Sequence, residues 1–219
     1  MSARDDILTR IRGALKDSPE APEIPREYRS ASQLDGDALI ELLVDRLVDY
    51  KAQVAVVAEA EVPARIASLL EGARTYVVPA GLDDGWLAGL DGGGDGGAPG
   101  SRRDSRRRLD SPAQPLTVAE LDGVDAVVTS SAVAVAETGT ILLDGSPNQG
   151  RRAISLVPDH HICVVRAADI AGILPEALRR IDGTRPITMI SGPSATSDIE
   201  LERVEGVHGP RRLDVIIAR

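Results

Sequence analysis

The feature that most restricts the fold is a series of short, unbroken apolar runs separated by stretches of helical spacing. Residues 53–58 (QVAVVA), 75–78 (TYVV), 126–129 (AVVT), 161–165 (HICVV), 187–190 (ITMI) and 213–218 (LDVIIA) are such runs. A strand with one wet face alternates apolar and polar side chains, whereas an unbroken run is buried on both faces. Between the first runs, Leu39, Ile40, Leu42, Leu43, Leu47 and Val48 recur at helical spacing over 37–50. A second helix is predicted over 64–70, with Pro63 near its first turn and Gly72 as its stop. This rhythm predicts an α/β fold with a largely parallel sheet covered on both faces.

Further along, Thr117 is a fitting N-cap for a short helical turn, 154–157 reads as a brief strand before Pro158, and 173–181 as an amphipathic helix. The runs at 187–190 and 213–218 then complete the sheet. Within 132–143 (AVAVAETGTILL), two apolar arms flank Glu-Thr-Gly-Thr, which predicts a β-hairpin excursion with Gly139 at the bend.

The N-terminal part, 1–33, reads separately. Ile7, Leu8, Ile11 and Leu15 mark a short amphipathic helix, and Pro19, Pro22 and Pro25 an extended linker. Such a helix packs onto a partner or folds back onto its own domain, which spans 34–219. Inside that domain, 91–112 (DGGGDGGAPGSRRDSRRRLDSP) is expected to be a flexible surface loop, because glycine and clustered arginine bury too little to order themselves. It lacks the Gly-Lys-Ser/Thr ending of a phosphate-binding loop.

Composition excludes several classes. The formal net charge of −9 and pI near 4.9 repel phosphate backbones, so nucleic-acid binding is not expected. The single cysteine, Cys163, rules out an internal disulfide and a self-contained four-cysteine cluster. No signal-peptide pattern and no membrane-length apolar run are present, so a cytoplasmic location is expected. With no Phe and one Trp, the core must be aliphatic.

The candidate chemistry lies in three segments: Glu137-Thr138-Gly139, the stretch 191–200 (SGPSATSDIE), and Val207-His208-Gly209. Pro193 biases Gly192 away from the helical region, and Ser194, Thr196, Ser197 and Asp198 can each cap a helix before Ile-Glu-Leu-Glu. Free backbone N–H groups at such a turn seat an anion, with Ser191 and Ser194 as hydroxyl donors. If the segments meet beyond the carboxyl ends of strands, they form one ligand site. Glu137 is then a nucleophile or general base with a pKa raised by apolar enclosure, or a carboxylate satisfied by turn amides. Asp198 and Glu200 serve the site or the start of a helix. His208 contacts a ligand or bonds its own turn, and Gly209 is a further candidate ligand contact. His160 and His161 point to opposite faces of a strand and cannot share a metal, and no metal-ligand spacing stands out.

These motifs together, AETGTILL at 136–143, LVPDHHICVV at 156–165, SGPSATSDIE and GVHGP at 206–210, resemble the LUD domain of the lactate utilization protein C family. The resemblance implies a Rossmann-like three-layer sandwich similar to the phosphosugar-isomerase (NagB/RpiA) and CoA-transferase superfamily. It also implies a non-redox component of a three-protein system oxidising L-lactate to pyruvate, whose partners carry the iron–sulfur clusters. One departure is Ala195, where the family motif often has Arg. A cationic contact to a bound carboxylate or phosphate is then missing here, or is supplied by Arg151, Arg152 or Arg211. A rival reading is a stand-alone enzyme, because Glu137-Thr138-Gly139 is similar in form to the Glu-x-Gly turn of family I CoA-transferases. A third is a ligand-sensing or scaffold protein without chemistry.

Overall fold

The structure, a computed structural model, describes residues 2–16, 22–90, 104–196, 204–205 and 208–219. In chain order the elements are α1 (Ala3–Ala14), α2 (Gly36–Asp49), β1 (Gln53–Val57), α3 (Val62–Leu69), β2 (Tyr76–Pro79), β3 (Arg107–Asp110), α4 (Val118–Asp122), β4 (Ala126–Ser130), β5 (Val133–Val135), β6 (Thr140–Leu143), α5 (Arg152–Leu156), β7 (His160–Arg166), β8 (Ile170–Ala171), α6 (Leu174–Leu178), β9 (Thr188–Ile190), β10 (Ala195–Thr196), β11 (Val204–Glu205) and β12 (Arg212–Ala218).

The central sheet has the order β1-β12-β7-β4-β2-β3, and every neighbouring pair is parallel. The helices that cover it follow from their apolar stripes. In α2, Ile40, Leu43 and Leu47 are buried at helical spacing, and in α3, Val62 and Ile66. Thr117 caps α4 as its sequence predicts, with Glu120 returning the hydrogen bond. Alternation along the strands sorts the core into two halves. Cys163, Val165, Leu213, Val215 and Ile217 pack against α2 and the hairpin, while Ile162, Val164 and Ile216 pack against α3 and Trp86.

The hairpin is present, with β5 and β6 antiparallel and Gly139 at φ +59°. It founds a second sheet of order β8-β5-β6-β9, in which β8 runs parallel to β5 and β9 antiparallel to β6. The 187–190 run therefore does not complete the central sheet. Ile190 pairs with Ile141 of the hairpin, and Met189 is 51% exposed, as suits an edge strand.

Two other expectations are corrected. Residues 152–156 are a helix, which buries Ile154 beside Val77 and Val127 with Ala153 and Val157 packed against them, and leaves Leu156 36% exposed. The stretch 91–112 is not one loop, since Arg107–Asp110 form β3 on the edge of the sheet, where charged side chains are tolerated. The glycine-rich part, 91–103, lies outside the described residues.

Helix α1 buries none of its residues. The tether does engage the domain: Ser32 N–H donates to Glu176 (2.7 Å), and Arg179 donates to the Ser30 carbonyl. No helix among the described residues is long and apolar enough to cross a membrane.

Candidate functional site

A cavity of about 230 Å³ opens between β9, the start of α5 and the amino ends of β7 and β12. Its upper wall is made by two loops, 191–194 and 208–210, which fasten to each other. Ser194 N–H donates to the Pro210 carbonyl (2.8 Å), and His208 N–H donates to Ser194 Oγ (3.0 Å). The turn that permits this is Gly192, at φ +86°, where a Cβ would stand 2.6 Å from the Tyr50 carbonyl oxygen. Only glycine fits there.

From α5, Arg152 joins the wall, and its Nη1 donates to Thr188 Oγ1 (3.0 Å). The other two cations that could stand in at Ala195 are engaged elsewhere. Arg151 forks onto Asp110 (2.7 and 3.0 Å) and Arg211 onto Asp159 (2.7 and 2.8 Å). Neither lines the cavity.

His161 forms part of the cavity lining although its residue is 1% exposed. Its Nε2 lies 2.8 Å from Thr129 Oγ1. Burial, with a smaller contribution from His160, pushes its pKa down to about 4, so the ring is neutral near pH 7. Beneath it, burial pushes the Cys163 thiol up to about 12, which makes it an inert core residue.

The hairpin tip stands beside this cavity rather than in it. Thr138 Oγ1, Thr140 Oγ1 and Ser191 Oγ form a chain of hydroxyls with 2.8 Å steps, linking tip to rim. Gly139 is held against α2, where a Cβ would meet that of Arg46 at 2.8 Å. Glu137 is not enclosed by apolar neighbours. Its side chain is 40% exposed and pairs with Arg29 (2.9 Å), because a hairpin tip faces solvent and the tether. Its backbone N–H donates to the Gly172 carbonyl (3.1 Å).

Of the predicted site residues, Ser191, Gly192, Ser194, His208 and Gly209 line one cavity, and Glu137, Thr138 and Gly139 do not. Thr196 lies in β10, paired with β11, so the chain is extended where it was read as a possible helix cap. Asp198 and Glu200 fall outside the described residues. The location also differs in one respect. Ser191 and Glu137 do follow the carboxyl ends of β9 and β5, but the cavity sits at the amino ends of the central strands. His161 and Thr188 were not singled out from sequence as ligand contacts. Their role depends on strand register, which no local motif encodes.

Chemically, the cavity offers a guanidinium, serine hydroxyls and a neutral imidazole. Ser194 Oγ meets the backbone of His208, not its ring, so this contact is not a nucleophile–base pair. Among the described residues, no group of three or more His, Cys, Asp or Glu is placed to hold a metal.

A family model described as the LUD domain matches residues 40–218. A lactate utilization protein C of Deinococcus radiodurans is 44% identical over 220 residues, covering 98% of this chain and 95% of that protein. Another, from Shouchella clausii, is 34% identical over 122 residues, 52% of this chain and 49% of its own length. A crystal structure of a DUF162 family protein from Deinococcus radiodurans superposes with a TM-score of 0.67 at 37% identity, covering 85% of this chain and 99% of that one.

Proposed function

Because the chain belongs to the LUD domain family, we propose that it serves lactate utilization as a non-redox component of an L-lactate-oxidising system, holding a small anion in the cavity beside Arg152. The observation that carries the ligand part is the company Arg152 keeps. A guanidinium, the hydroxyls of Ser191 and Ser194, and the imidazole of His161 share a space of about 230 Å³, below the usual range for larger cofactors. A carboxylate accepts from Arg and Ser, and a neutral imidazole meets a neighbouring hydroxyl or carbonyl-bound water.

In this reading the electrons pass through partner proteins that carry iron–sulfur clusters, and this chain supplies binding and assembly in the cytoplasm. Kinship with the phosphosugar-isomerase and CoA-transferase superfamily belongs to the same proposal, and the parallel six-stranded sheet is in keeping with it. The ion pair of Glu137 with Arg29, outside the cavity, gives the acyl-intermediate route no added support.

Two measurements test the reading. L-Lactate or pyruvate should raise the melting temperature of the wild-type chain and not of Arg152→Gln, because a ligand that binds only the native state stabilises it. Deleting the gene should abolish growth on L-lactate, and cluster-bearing proteins should co-purify with the tagged chain. Normal growth of the deletion strain on L-lactate would overturn the assignment.

A further inference from the structure

The opposite face of the central sheet holds a second polar site that the proposed function does not use. A cleft of about 750 Å³ lies between α3 and the amino ends of β1, β12, β7 and β4. At its wall, Asp214 is 2% exposed, and its Oδ2 accepts both His160 Nε2 (2.7 Å) and Arg212 Nε (2.7 Å). Burial works to raise the Asp214 carboxyl, but the hydrogen bonds from His160 and Arg212 outweigh it and hold the group below the usual carboxylate range. An ionised carboxylate only accepts, so the proton between the pair resides on His160 Nε2. Nδ1 of that ring makes no hydrogen bond among the described residues.

The donors of the cleft are also unspent. Arg212 commits its Nε to Asp214, while its two terminal nitrogens have no partner among the described residues. Arg65, projecting from α3 into the same cleft, makes no hydrogen bond or ion pair there, and its Nε is sealed from solvent without an acceptor. An N–H sealed from water is sealed from a ligand too, so an acceptor in the cleft can meet Arg65 only at its terminal nitrogens. The carboxylate of Asp125 is not that acceptor, since it takes the Arg74 guanidinium and the backbone N–H groups of Arg74 and Thr75.

We propose that this cleft is a second anion site, built for a phosphate group. Arg65 and Arg212 would hold its oxygens, and His160 Nδ1 would share a proton with one of them. A singly protonated phosphate supplies both kinds of partner at once, which neither sulfate nor a simple carboxylate does. Arginine forks suit phosphate geometry. Asp214 is then a positioning residue, fixing the tautomer and orientation of His160.

The test uses the full-length chain. Inorganic phosphate, glycerol 3-phosphate and sulfate are titrated while the ring resonances of the three histidines are followed by NMR and heats by calorimetry. Phosphate should move the His160 resonances and leave those of His161 and His208 in place, with sulfate binding more weakly. Tighter binding of glycerol 3-phosphate than of inorganic phosphate would identify a phosphorylated metabolite as the occupant; the reverse would identify free phosphate. Arg65→Gln should weaken binding about tenfold or more, and Arg152→Gln should not. Motionless His160 resonances at millimolar phosphate would overturn the proposal. So would loss of binding in Arg152→Gln, which would place the anion in the other cavity. The wild-type titration decides even if Arg65→Gln fails to fold.

Discussion

His160 and His161 are neighbours in the chain and opposites in the molecule. The first is 12% exposed at its side chain, faces α3 and is bound to a carboxylate. The second is buried against the second sheet and, among the described residues, hydrogen-bonds only a threonine hydroxyl. The same side chain thus hydrogen-bonds a buried carboxylate on one face and is kept neutral by burial on the other. The difference teaches that the sheet divides two chemistries: the cleft on the α3 face is lined by charged groups, and the cavity on the hairpin face by hydroxyls and one peripheral guanidinium.

The largest effect should come from breaking the ionic side. Asp214→Ala strips His160 and Arg212 of their shared acceptor, and urea unfolding should show a loss of about 3–5 kcal/mol, as for other broken buried pairs. A loss below about 1 kcal/mol would mean the cluster is no more than a solvated surface pair.

The neutral side should respond to pH. The folded pKa of His161, about 4, lies below the unfolded value near 6.5, so between these pH values the unfolded chain binds more protons. Stability should therefore fall as pH drops from about 6.5 to about 4, by roughly 3 kcal/mol from this residue. The depressed Asp214 carboxyl acts lower, its contribution being lost only below about pH 4. Unfolding free energies of His161→Gln should lack the upper part of this slope; an unchanged slope would place the titration elsewhere.

Smaller effects sharpen the boundary of the cavity. Gly192→Ala should cost about 1–2 kcal/mol in left-handed backbone, and more if Tyr50 cannot yield, with the 191–194 loop displaced. Arg152→Gln should leave stability within about 0.5 kcal/mol while weakening L-lactate or pyruvate binding about tenfold by calorimetry. Glu137→Gln should change neither melting temperature nor anion affinity, because it breaks only an exposed pair. A defect in anion binding in that variant would draw the hairpin tip back into the site.

Much of this fold was legible in the chain. The runs at 53–58, 75–78, 126–129, 161–165 and 213–218 became the central parallel strands, because continuous apolarity has few other uses. Glu-Thr-Gly-Thr read as a turn for a local reason, the positive φ at Gly139. Ile154 to Val157 misled, since three apolar residues and a serine carry no periodicity that separates a strand from a helical turn. β3 was hidden by arginines, as edge strands can be. At the site, Ser191, Ser194, His208 and Gly209 stood out by local composition. Arg152 and His161 reach the same space only through register and packing, and Arg65, His160 and Asp214 only because distant strands start side by side.

Gly172 abuts Ser32 so closely that a Cβ on it would lie 2.1 Å from the serine Cβ, and Glu176 grips the amide of Ser32 from the same side. The stretch around Ser32 is thus a keystone set into the second sheet rather than a leash. A protein trimmed to begin at residue 34, ahead of α2, would expose that notch and leave Glu137 without Arg29. Weakness in so shortened a molecule would reflect the missing keystone, not a fault in the domain it completes.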